Sequence, residues 1–228
     1  MRTILITTGA GVVLIGIGIT ILWLTSRSDT PQAMAVIERY AEYYELAQEE
    51  RVLLSVPGHQ DTESRRALHE LLIEILTSDM TDNERLVRVD EALEEIALLR
   101  RDIDEATKIR EDIVVVIDTF EREQQHLALT ELRIGAGELV EAMRERQAIA
   151  NDITATLYAI NGHVHEIVVE IKQADGALTP EHIYDINQTT DMAESRFDRL
   201  QRSYRAFSEN DGRLQRGMTA FVEDALRQ

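Results

Sequence analysis

The sequence predicts an all-α protein: an N-terminal single transmembrane helix followed by an elongated antiparallel helical bundle or coiled-coil hairpin. Three observations carry this. Residues 3–26 contain no charged side chain. From residue 139 to residue 171 apolar residues recur at steps of three and four, at Leu139, Met143, Ala150, Ile153, Leu157, Ile160, Val164, Ile167 and Ile171, with Arg146 standing at the interrupted step. That is a heptad seam, which needs a partner helix. Finally, 3 prolines, 11 glycines and 5% aromatics, with abundant Ala, Glu, Leu, Arg and Ile, favour long helices over sheets.

The formal net charge of −18 makes the chain self-repelling and argues against general binding to nucleic acid or anionic lipid. Positive charge is almost all arginine, since Lys108 and Lys172 are the only lysines. With no cysteine, disulfides, thiolate metal sites and covalent haem attachment are excluded.

Residues 1–27 read as the anchor. At about 1.5 Å per residue the uncharged run crosses a hydrocarbon core about 30 Å thick, and it exceeds the roughly 7–15 apolar residues of a signal peptide. Trp23 stands where an interfacial aromatic would hold one end. Gly9 with Gly16, and Gly11 with Gly18, each share a helix face and would admit close helix packing. Arg2 against Arg27, the latter offset by Asp29, favours an inside N-terminus with the rest exported across the inner or plasma membrane.

Residues 28–80 read as a juxtamembrane helical pair. Thr30 and Pro31 are suited to the cap and first position of a helix that carries Met34, Ile37, Tyr40, Tyr44 and Ala47 and stops at Pro57-Gly58. Its tyrosines, Tyr40, Tyr43 and Tyr44, are expected to pack in a core with wet hydroxyls. A second helix starts near Asp61 or Thr62 and presents Leu68, Leu71, Leu72, Ile75 and Leu76.

Residues 81–228 read as the long bundle. Thr81 and Glu84 have capping-box spacing. The helix they open shows Leu86, Val89, Leu93 and Ile96, then resumes one step out of phase at Leu99, Ile103, Ala106, Ile113, Ile117, Phe120 and Leu127. Gly135-Ala136-Gly137 is the next soft point: a turn there makes a hairpin with the central seam, and a continuation makes one rod of about 130 Å from roughly ninety residues. The loop at Ala174-Asp175-Gly176-Ala177 ends the central helix, and Thr179-Pro180-Glu181 restarts one. There Ile183, Ile186, Thr190, Ala193, Phe197, Leu200, Tyr204 and Phe207 alternate threes and fours, and the count continues through Asp211 to Leu214, Met218, Phe221 and Ala225. The short connection implies an antiparallel hairpin of residues 139–171 with 183–207.

No catalytic, metal or cofactor residue is expected. Glu123 and His126 share a face but lack the second motif that a carboxylate-bridged di-iron bundle needs, and His163 and His165 point to different sides of a helix. There is no Gly-rich phosphate loop and no strand to mount one on. Arg110 and Arg146, on interior seams, suit a subunit contact or a register-setting pair.

The function expected is a membrane-anchored scaffold or assembly subunit that mediates protein–protein interaction through its seams, with a second copy or a larger membrane complex as partner and no small-molecule substrate. The alternative is an exported sensor or ligand-binding four-helix bundle that signals through a partner. Such a bundle resembles in outline the ligand-binding bundles of bacterial chemoreceptors, a likeness of architecture without a shared motif.

Overall fold

The computed structural model describes residues 31–54, 71–72, 74–76, 80–177 and 179–227, without the side chains of residues 182, 183, 185–187, 189–191, 193 and 194. Among these all regular structure is helical, with four long helices: α1 (Pro31–Leu53), α2 (Asp82–Gln124), α3 (Thr130–Gln173) and α4 (Pro180–Arg227). The expected anchor, with Gly9, Gly11, Gly16, Gly18 and Trp23, lies outside the described residues. None of the described helices is long and apolar enough to cross a membrane.

Local chemistry sets the helix ends. Pro31 opens α1 and Pro180 opens α4, where a missing N–H costs nothing. Ahead of α2 the capping box forms. The Thr81 backbone N–H and hydroxyl both donate to Glu84 Oε2, at 2.9 and 2.7 Å, and the Glu84 N–H donates back to the Thr81 hydroxyl at 3.4 Å. These bonds, the Thr81 hydroxyl's first, hold the Glu84 carboxyl below its ordinary pKa.

α2 ends in a run of i→i−3 bonds. Gln125, His126 and Leu127 N–H donate to the carbonyls of Arg122, Glu123 and Gln124, which tightens the last turn and uses orphan acceptors. The chain therefore reverses before Thr130, and the soft point expected at Gly135-Ala136-Gly137 is instead the interior of α3. The physical reason is packing. Leu132, Ala136, Leu139 and Val140 are all buried, so burial along this turn outweighs the roughly 1 kcal/mol that an interior glycine costs against alanine.

α3 ends in a Schellman motif. Gly176 N–H donates to Ile171 O at 3.0 Å and Asp175 N–H to Lys172 O at 3.1 Å, with Asp175 at φ 50° and Gly176 at φ 79°. A Cβ on Gly176 would stand 2.4 Å from the Asp82 carbonyl oxygen, so only glycine lets this loop meet the start of α2. Arg85 ties the corner, its Nη1 donating to Gly176 O at 2.8 Å and its Nε to Ile75 O at 3.1 Å.

The molecule divides into two compact units, to each of which α1–α4 all contribute. Unit 1 takes residues 31–48, 110–146 and 210–227 of the described chain. Its core contains Val36, Ile37, Tyr40, Tyr43, Ile113, Ile117, Phe120, Leu139, Met143, Leu214, Met218 and Phe221. Within it α3 and α4 run antiparallel. Arg213 Nη1 donates to Glu145 Oε2 at 2.6 Å, a Cβ on Gly217 would sit 3.1 Å from Leu139 Cδ2, and one on Gly135 3.7 Å from Phe221. α2 and α3 are likewise antiparallel: Arg144 reaches Asp118 and Glu121, and Gly137 lies beside Gln124.

Unit 2 takes residues 49–54, the helical residues at 71–76, 80–109, 147–177 and 179–209. One continuous cluster fills it, from Leu54 and Ile75 through Val89–Ala106 and Ala150–Ile171 to Leu200, Tyr204 and Phe207. Leu71, Leu72 and Leu93 pack against its margin. Lys172 bonds Asp90 at 2.7 Å and Tyr158 bonds Asp104, an antiparallel α2–α3 pairing. Arg199 and Ser203 both reach Asp152, across α3 and α4.

Candidate functional site

Three features offer places where the bundle could act: the seams, a buried polar layer in unit 1, and a cleft in unit 2.

The central seam is interior to the single chain. Leu139 and Met143 are buried in unit 1, and Ile153, Leu157, Ile160, Val164, Ile167 and Ile171 in unit 2. On α4, Leu200, Tyr204 and Phe207 are buried, whereas Phe197 is 50% exposed. The side chains of Ile183 and Ile186 are outside the described residues. α1 ends at Leu53, and the buried Tyr204 hydroxyl donates to Leu54 O at 2.9 Å. Among the described residues, the turns of α4 before Leu200 therefore extend past the end of α1. Tyr184 and Met192 are also exposed in this part of α4.

Arg146, which interrupts the seam, forms the buried polar layer of unit 1. Its side chain is 1% exposed, its Nε donates to Asp211 Oδ1 at 2.8 Å, and its Nη2 donates to the Ala47 carbonyl at 2.7 Å. α3 is thereby joined to α4 and to α1 by charge-assisted hydrogen bonds, the kind that compensates for removing a guanidinium from water. The α1 tyrosines lie alongside. Tyr40 stands 6.0 Å from Tyr43 and 6.4 Å from Tyr44 between ring centroids, and Tyr40 and Tyr43 are both buried. Burial pushes the Tyr40 phenol well above its ordinary pKa, with Tyr44 and Asp211 adding to the rise and Arg146 opposing it. Asn210, next to Asp211, is buried, and its side-chain amide has no hydrogen-bond partner among the described residues. Asp211 was legible as an interruption of the α4 count, as Arg146 was on α3; their meeting was not.

The cleft lies between α3 and α4 of unit 2. It measures ≈ 570 Å³ and is lined by Ala155, Thr156, Met192, Ser195, Arg196 and Arg199. Arg199 points its guanidinium at Asp152, which also accepts from the Ser203 hydroxyl at 2.6 Å. The Arg199 hydrogen bonds, ahead of the opposing effect of burial, hold the Asp152 carboxyl below its ordinary range. Nothing in the sequence pattern singled out Asp152, Ser203 or the cleft, because all stand off the apolar stripes.

The remaining polar candidates stand apart from one another. Glu123 accepts from Arg39 Nε at 3.2 Å, His126 lies in the turn after α2, and His163 Nδ1 is 3.4 Å from Glu166 Oε2. Among the described residues no group of three or more His, Asp or Glu is placed to hold a metal ion. Comparison with protein-family models, with curated proteins and with solved structures finds no match.

Proposed function

We propose that the chain is a membrane-anchored helical scaffold, held by the uncharged run at residues 3–26, whose exported bundle engages protein partners without catalysis of its own. The observation that supports it best is Phe197. A seam position that its neighbours leave half exposed, with Tyr184 and Met192 uncovered on the same helix, offers apolar area to another helix. The partner is a second copy of the chain or a subunit of a larger membrane complex. The scattered ion pairs on the bundle surface, such as Arg213 with Glu145, keep the rest of the surface soluble and add little energy.

The test is the mass of the full chain in detergent, by light scattering corrected for the micelle, at several concentrations and beside a Phe197→Asp variant. Assembly that grows with concentration and is lost in Phe197→Asp supports the scaffold. A monomer at every concentration, together with no co-purifying membrane subunit dependent on Phe197, overturns it. Resistance of the full chain to alkaline extraction from membranes tests the anchor, and release into the soluble fraction would remove that part of the reading.

A further inference from the structure

We propose that the cleft between α3 and α4 of unit 2 binds a small organic carboxylate, held by Arg196 and Arg199 with its apolar body against Met192 and Ala155. This goes beyond the scaffold reading and stands independently of it.

Charge is the first consideration. The sequence carries 42 acidic against 24 Lys and Arg residues, yet among the described residues that line the cleft the two charged ones, Arg196 and Arg199, are both positive. Arg196 and Arg199 stand three residues apart on α4 and so share one face. Arg199 is engaged by Asp152. Arg196 is half-buried, lines the cleft and has no hydrogen bond or ion pair among the described residues, which leaves its guanidinium fork open to a ligand. A carboxylate matches that fork with two parallel hydrogen bonds.

The rest of the lining selects the remainder of the ligand. The Ser195 hydroxyl can donate to a carboxylate oxygen. The Thr156 hydroxyl is spent on the Asp152 carbonyl at 2.7 Å, so this wall offers its methyl group as well as its oxygen. Met192 is 47% exposed and adaptable in shape, and with Ala155 it gives an apolar patch that a short hydrocarbon body would cover. An inorganic anion would leave that patch wet. The cleft volume, ≈ 570 Å³, falls within the usual range for small-molecule sites.

The probe is butyrate added to the full chain, with its neutral isostere butyramide and inorganic phosphate as comparisons. Binding is read by calorimetry and by the Met192 methyl signal in the NMR spectrum. Butyrate is expected to saturate one site and shift the Met192 signal, with butyramide and phosphate at least about tenfold weaker. Arg196→Ala should abolish the response, Arg196→Lys should keep part of it, and Met192→Ala should weaken it several-fold. Arg227→Ala, remote in sequence, should change nothing. Circular dichroism establishes that each variant retains its helices; if Arg196→Ala does not, Arg196→Lys and Met192→Ala carry the test. The proposal is overturned if butyrate leaves the Met192 signal unmoved, binds Arg196→Ala as well as the unsubstituted chain, or is matched by butyramide or phosphate.

Discussion

Arg146 donates from Nε to Asp211 Oδ1 at 2.8 Å, a pair in which the arginine is 1% and the aspartate 12% exposed. Each residue occupies a seam position of its own helix, α3 or α4, where an apolar side chain would otherwise continue the pattern. A pair of this kind adds little net stability over an apolar replacement, because both charges have left water. What it does is penalise every register in which the two fail to meet. The second bond of Arg146, to the Ala47 carbonyl, extends that constraint to α1.

Asp211→Leu is expected to destabilise the fold by about 3–5 kcal/mol, since it strands a buried guanidinium. The double variant Arg146→Leu with Asp211→Leu should recover much of that loss. Urea unfolding followed by circular dichroism measures both. A single variant as stable as the parent would show that the pair does not constrain the packing.

Two glycines give opposite expectations. Gly162→Ala, in the interior of α3 with nothing within 4 Å of its Cβ position, should stabilise by about 0.5–1 kcal/mol. Gly176→Ala should destabilise by more than about 1 kcal/mol, because φ is 79° and the new Cβ meets the Asp82 carbonyl oxygen at 2.4 Å. Thermal melts of the two variants side by side decide the matter by the signs of their shifts.

Asp152 supplies a pH dependence. Arg199, then Ser203, stabilise its ionised form and lower its pKa from the ordinary 3.8. A carboxyl whose pKa is lowered on folding contributes stability above its unfolded value and loses it as the pH falls through the lowered one. Melting temperatures of the parent and Asp152→Asn should therefore differ at pH 6 and draw together only as the pH falls from about 4 through the lowered pKa. A difference independent of pH across that range would mean that the charge is not what matters.

The α3–α4 connection predicts crosslinking within one chain. Asp152 and Ser203 stand on facing turns of α3 and α4, close enough for the Ser203 hydroxyl to reach the Asp152 carboxylate at 2.6 Å, so mild oxidation of Asp152→Cys with Ser203→Cys should give a band at monomer mass. A band at dimer mass would mean that α4 is exchanged between copies.

The sequence by itself determined the helices and most of their buried faces, because both depend on local spacing: Ile153, Leu157, Ile160, Val164, Ile167 and Ile171 all fall inside. The capping box at Thr81 and Glu84 and the loop at Gly176 were equally legible, each being a short-range pattern with one geometric solution. The reversal between α2 and α3 was not. Gly135 and Gly137 leave a turn or a continuous rod equally open, but helix ends are decided by whether the flanking turn can be buried, and Leu132, Ala136 and Leu139 bury it. Tertiary structure alone decided that Arg146 meets Asp211, that Phe197 lies beyond the end of α1, and that Arg196 faces a cleft. Each depends on which residues distant in sequence come opposite one another, and a periodic seam repeats too regularly to specify that register by itself.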